Sequence, residues 1–148
     1  MFSSNTYDTI ESPIAVVAED NDGIRKRIAD YLRGKGYGVL EAKTSVEALL
    51  MAADYPFRID ALFTSLELRK YCNGAELAGC LRATRPEMAI FYMGGEGPQS
   101  ESVTRELIRG EAVLLKKPVE KPRLDEAIAM VEEERARTEY SMDSVEWT

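Results

Sequence analysis

The amino-acid sequence predicts an α/β fold: a five-stranded parallel sheet with helices on both faces. Two observations carry this. Short apolar runs alternate with amphipathic segments five times along the chain, which is how a parallel sheet joined by crossover helices reads. Between the runs the apolar spacing changes to that of a helix burying one face. At 148 residues the chain makes one domain, long enough to bury roughly two-thirds of its unfolded surface around a single core.

The first strand is expected at Ile14 to Ala18. The helix after it lines up Ile24, Ile28, Tyr31 and Leu32, with Asp20, Asn21 or Asp22 as its cap and Gly34 and Gly36 placed to end it. A second strand, Tyr37 to Ala42, leads to a helix with Val46, Leu49, Leu50 and Ala53 on its apolar side. The third strand, Ala61 to Thr64, precedes a helix carrying Leu77, Ala78 and Leu81. The fourth, Met88 to Met93, is followed by a short helix with Val103, Leu107 and Ile108. After the fifth, Ala112 to Leu115, a helix begins near Pro122, where a missing N–H breaks no hydrogen bond, and it buries Leu124, Ala127, Ile128 and Val131. The organisation expected is a flexible leader at 1–12, the domain at 13–137 and an acidic tail at 138–148, in which Val145 and Trp147 are placed to dock on a partner.

Composition narrows the function. A net charge of -7 and a pI near 4.8, with no Lys/Arg cluster, argue against nucleic acid and anionic membrane as partners. The absence of histidine excludes His-based zinc sites and a His-dependent catalytic triad. Cys72 and Cys80 fit a reducing compartment and read as packing residues. With no signal pattern and no apolar run of about 20 residues, the chain reads as cytoplasmic.

Doubly wound sheets gather ligands outside the carboxyl ends of their strands. Those ends carry Glu19-Asp20, Ser65, Gly94-Gly95 and Lys116-Lys117-Pro118. Two adjacent carboxylates with a lysine arriving from another strand end make a small charged pocket suited to a hard cation such as Mg2+. Helix capping accounts for one of the acidic residues here and leaves Glu19 unexplained.

Five pieces in order, Val16-Val-Ala-Glu-Asp20, Asp60-Ala-Leu-Phe-Thr-Ser65, Asn73-Gly-Ala-Glu-Leu77, Arg85-Pro86 and Leu114-Leu-Lys-Lys-Pro118, resemble the receiver domains of bacterial two-component response regulators. The resemblance spans roughly Pro13 to Glu134 and implies the flavodoxin-like (βα)5 receiver fold. It implies transfer of a phosphoryl group from a histidine kinase to an aspartate ending the third strand. Mg2+ would be held by the acidic pair, that aspartate and the Glu67 carbonyl, and charge would be neutralised by Lys117. It also implies a cis Lys117–Pro118 bond and a reporting face built from the fourth helix, fifth strand and fifth helix.

The chain departs from that pattern at three places: Ser65 stands at the acceptor position, Gly94 at the hydroxyl-switch position and Leu114 at the aromatic-switch position. Serine forms no acyl phosphate, and no base is evident to activate it. Loss of one carboxylate takes the formal charge of the pocket from about -2 to about -1, which weakens cation binding. Glu67 is a substitute carboxylate, Lys117 is expected to pair with Glu19 or Asp20, and Tyr71 and Cys72 are expected to cover the emptied site. The glycine-rich Gly94 to Pro98 reads as a flexible turn or as a loop ordered by a partner.

The expectation is therefore a non-enzymatic, atypical single-domain response regulator, a pseudo-receiver. It would act in phosphorelay signalling as a phosphorylation-independent protein-interaction module, with no required cofactor and at most weak Mg2+ binding. Its partner would be a histidine kinase or another signalling protein. The contact face would include Arg105, Arg109, Glu111 and Lys116, and the same face would serve a homodimer. Regulation by covalent phosphorylation at a non-standard residue such as Ser65 is the alternative. A flavodoxin-like cofactor site fits poorly, because Glu19-Asp20-Asn21-Asp22 would repel a flavin phosphate.

Overall fold

The computed structural model describes residues 12–95 and 97–146, with side chains through 138. The strands are β1 (Ile14–Ala18), β2 (Gly38–Ala42), β3 (Ala61–Ser65), β4 (Ala89–Gly94) and β5 (Val113–Lys116). The helices are α1 (Asp22–Gly34), α2 (Ser45–Asp54), α3 (Gly74–Thr84), α4 (Glu101–Arg109) and α5 (Lys121–Glu146). All strand pairs are parallel in the order β2-β1-β3-β4-β5. The expected strands are all present. Tyr37, Met88 and Ala112 lead into theirs as buried residues, and the ladder extends one residue further, to Ser65, Gly94 and Lys116.

Side-chain alternation along each strand builds a core on either face. Val16, Leu62, Ile90 and Tyr92 pack with Ala48, Leu77, Leu81 and Val103 under α2, α3 and α4. Ala15, Val17, Phe63 and Phe91 pack with Ile28, Leu32, Leu124, Ala127, Ile128 and Val131 under α1 and α5. Phe63 and Phe91 stack there with centroids 4.7 Å apart. Local sequence sets the helix starts: Asn21, Thr44, Asn73 and Ser100 each accept from a backbone N–H of the first turn, and Asn73 with Glu76 completes a reciprocal capping box.

Several expected positions are corrected. Helix α2 meets the sheet through the small residues Ser45, Ala48 and Ala52. That approach turns Val46, Leu50 and Ala53 outward, and Leu50 is 62 % exposed. Ile108 on α4 is likewise outward at 80 %, because Val103 and Leu107 face the sheet. Cys80 is exposed on α3; Cys72 does pack against the core. Helix α5 runs on to Glu146, past the boundary at 137 expected between domain and acidic tail. Residues 1–11 of the expected leader, the side chain of Val145 and the whole of Trp147 lie outside the described residues.

Two polar clusters close the structure at the amino ends of the strands. The buried Asp60 carboxylate accepts from Ile14 N at 2.9 Å and lies 3.0 Å from Arg58 Nε and 3.2 Å from Arg135 Nη1, joining β1, β3 and α5. Arg85 donates to the carbonyls of Ala52, Tyr55 and Phe57 at 2.8 to 2.9 Å, fastening the end of α2 and the loop after it.

Candidate functional site

The parallel register brings Ala18, Ser65, Gly94 and Lys116 to one end of the sheet, where Glu19 and Lys117 continue their strands. Ser65 is 1 % exposed, and its Oγ accepts from Lys117 Nζ at 3.1 Å and from Glu67 N at 3.2 Å. Lys117 Nζ also lies 2.8 Å from Glu19 Oε1, a contact ion pair, while its aligned hydrogen bond goes to Ser65. The other Glu19 oxygen accepts from Asn21 N at 3.0 Å. The expected pairing of Lys117 with the acidic pair is thus made by Glu19. Asp20 turns instead to Arg69, 3.4 Å away.

Arg25 organises the acidic loop from beneath. It is buried and donates to the Glu19 carbonyl at 2.9 Å, Asp22 Oδ1 at 2.7 Å and Glu41 Oε1 at 3.2 Å. Hydrogen bonding from Arg25, with the charges of Lys43 and Arg25, holds the Asp22 carboxyl below its usual range. Burial pushes Glu41 up, yet the hydrogen bonds from Arg33 and Arg25, with the charges of Arg33 and Lys26, carry its net shift downward. Sequence reasoning missed Arg25, although its place three residues after Asp22 on one helix was a usable signal.

Around Gly94 the expected reporters are replaced by packing. A Cβ at Gly94 would stand 3.0 Å from Leu66 Cδ1 and 3.8 Å from Leu114 Cδ1, so Leu66 fills the space that a larger residue would occupy. Glycine is required at Gly74 for a related reason, since a Cβ there would overlap the Ser65 carbonyl oxygen and force α3 away from β3. Tyr71 does not cover the site: it is 76 % exposed with φ of 69°, while Cys72 hangs from Ser45 Oγ through its backbone N–H at 3.2 Å. The peptide bond between Lys117 and Pro118 is cis.

Glu67 reaches only the edge of this cluster, 3.8 Å from Lys117 with its side chain 65 % exposed. Arg105, Arg109, Glu111 and Lys116 stand exposed around α4 and β5, with Arg105 bonded to Glu101 at 3.2 Å. Glu111 lends its backbone carbonyl to Arg82 at 3.1 Å.

The Mg2+ that the resemblance implies does not match these donors. Glu19 Oε2 accepts from Asn21 N, Glu19 Oε1 is buried without a hydrogen bond and faces the Lys117 ammonium at 2.8 Å, where a second cation would be repelled, and Ser65 contributes a neutral hydroxyl already accepting two hydrogen bonds. Among the described residues no three acidic or cysteine side chains form a group that would hold a metal ion. Among the described residues no carboxylate accepts a hydrogen bond from Ser65 Oγ.

The chain matches the response regulator receiver domain over residues 15–129. No curated protein sequence matches it. Among solved structures it is similar to a CheY-like response regulator receiver domain protein from Methanospirillum hungatei JF-1, with TM-score 0.73 and 19 % identity, over 86 % of this chain and 99 % of that one. A response regulator receiver domain protein from Clostridium thermocellum gives TM-score 0.72 and 23 % identity over 86 % and 98 %. The receiver domain of the hybrid histidine kinase CckA gives 0.65 and 24 % over 80 % and 97 %. At such identities these likenesses carry the fold. No described helix is long and apolar enough to cross a membrane. With the five-stranded parallel sheet, the acidic and lysine strand ends brought together and the family match over most of its length, the chain belongs to the response regulator receiver domain family.

Proposed function

We propose that this receiver domain of two-component signalling is a pseudo-receiver, a protein-interaction module that works without phosphorylation. The observation that carries the reading is Ser65, buried at the end of β3 with its Oγ lone pairs taken by Lys117 Nζ and Glu67 N. A hydroxyl so held meets neither a phosphoryl donor nor a base. The Glu19–Lys117 pair further supports the reading, since each ion neutralises the other within the site. The module would need no cofactor and would bind Mg2+ weakly at most. Its partner would be a histidine kinase or another signalling protein in the cytoplasm. The face containing Arg105, Arg109, Glu111 and Lys116 would make the contact and would also serve a homodimer.

Intact-mass measurement after incubation with acetyl phosphate and Mg2+, or with a phosphorylated cognate kinase, tests this. No gain in mass is expected. A stable gain of one phosphate that disappears in Ser65→Ala would establish the alternative, a receiver regulated by covalent modification at Ser65.

A further inference from the structure

Helix α4 has a thin apolar hold on the sheet: of its nine residues only Val103 is fully buried, Leu107 is half-buried, and Ile108 points to solvent. A polar cluster supplements that hold. Tyr92, wholly buried on β4, donates its hydroxyl to Glu106 Oε1 on α4 at 2.7 Å. Arg82 on α3 brings Nη1 and Nη2 to the same oxygen, each at 3.4 Å, and Nη2 donates to the Glu111 carbonyl at 3.1 Å. One carboxylate thus ties together α3, β4 and α4, and the same arginine holds the turn leading into β5. The side chains of Glu106 and Arg82 are 17 % and 31 % exposed, so water competes only partly for these bonds.

We propose that Tyr92, Glu106 and Arg82 form a latch that fixes α4 against the sheet in a single position, holding its outward residues Arg105, Ile108 and Arg109 in a constant array. A second observation points the same way: Leu66 fills the space beside Gly94 at the head of the loop leading to α4, so inward movement at that end is blocked by packing. The latch stands on its own geometry, and only the idea that the face it fixes is the binding face rests on the pseudo-receiver reading.

Amide hydrogen exchange of the full chain, read peptide by peptide, tests the latch. Tyr92→Phe keeps the ring and removes the donor; Arg82→Met keeps the aliphatic stem and removes the charge. Each is expected to speed exchange in residues 101–109 by about ten-fold while α1 and β1 keep wild-type protection, as local opening without global unfolding requires. Because the three side chains act as one unit, the double variant should exchange little faster than either single one. Wild-type protection of α4 in both single variants, or effects that multiply in the double variant, would overturn the proposal. If Tyr92→Phe loosens the whole core, Arg82→Met decides alone, since its side chain lies at the margin. The measurement needs neither phosphoryl donor nor partner, so a failed latch leaves the pseudo-receiver reading standing, and phosphorylation of Ser65 would leave the latch standing.

Discussion

Lys117 and Glu19 show how differently two ion pairs in one site weigh. The Glu19 side chain is 2 % exposed and that of Lys117 20 %, so each depends on the other for compensation of its charge. Asp20 meets Arg69 at 3.4 Å, with the arginine side chain 84 % exposed, and such a pair contributes about 0 to 1 kcal/mol. Lys117→Met should therefore destabilise the protein by about 3 kcal/mol in urea unfolding, because Glu19 is left buried with one backbone donor. Arg69→Met should have an effect within about 0.5 kcal/mol. Equal losses in the two variants would contradict this assignment. Ser65 sits between these extremes as a neutral hydroxyl accepting from Lys117 and a backbone N–H, a structural part of the strand end.

At the level of elements, helix starts are governed locally and helix ends are fastened from a distance. Asn73 and Glu76 settle the start of α3 within four residues. The end of α2 depends instead on Arg85, which lies after α3 yet donates to Ala52, Tyr55 and Phe57 carbonyls. Arg85→Met leaves those carbonyls without their donor and should lower stability by about 2 kcal/mol, with faster amide exchange confined to the last turn of α2 and residues 55–58. A loss spread evenly over the sheet would argue against the fastening role. Helix α4 is held in a similar way by Tyr92, Glu106 and Arg82, none of which belongs to the set that makes receivers recognisable in sequence.

For the whole molecule, the pH dependence of stability follows from a few groups on different elements. Glu41 has its carboxyl held below the ordinary value of 4.5 by Arg33 and Arg25 against the opposing effect of burial. A depressed folded value stabilises the protein above the unfolded value, and that contribution disappears as pH falls below about 4.5. Burial first, then the charges of Glu132 and Asp60, push Tyr37 above its ordinary 10.0; burial and the Glu106 hydrogen bond do the same for Tyr92. Raised values act in the opposite sense: their contribution is complete below about pH 10 and is lost as pH rises beyond it. Of the seven tyrosines, Tyr37 and Tyr92 should therefore ionise only as the helical circular dichroism collapses in an alkaline absorbance titration. Ionisation of all seven near 10 with the helices intact would refute this.

The sequence alone determined the order of strands and helices, a cap for the first helix among Asp20, Asn21 and Asp22, and the gathering of Glu19, Ser65, Gly94 and Lys117 at the strand ends. These depend on periodicity, on capping within three or four residues and on parallel topology, all of which are written along the chain. Three things were decided only in the folded molecule. The rotation of α2 that exposes Leu50 followed from alanines allowing close approach to the sheet. The division of carboxylates between Lys117 and Arg69, and the filling of the Gly94 space by Leu66, followed from loops meeting across the strand ends. The joining of Tyr92, Glu106 and Arg82 followed from three elements converging on one carboxylate. In each case the outcome turns on distances between side chains far apart in the chain, and residue type and local spacing do not specify those distances.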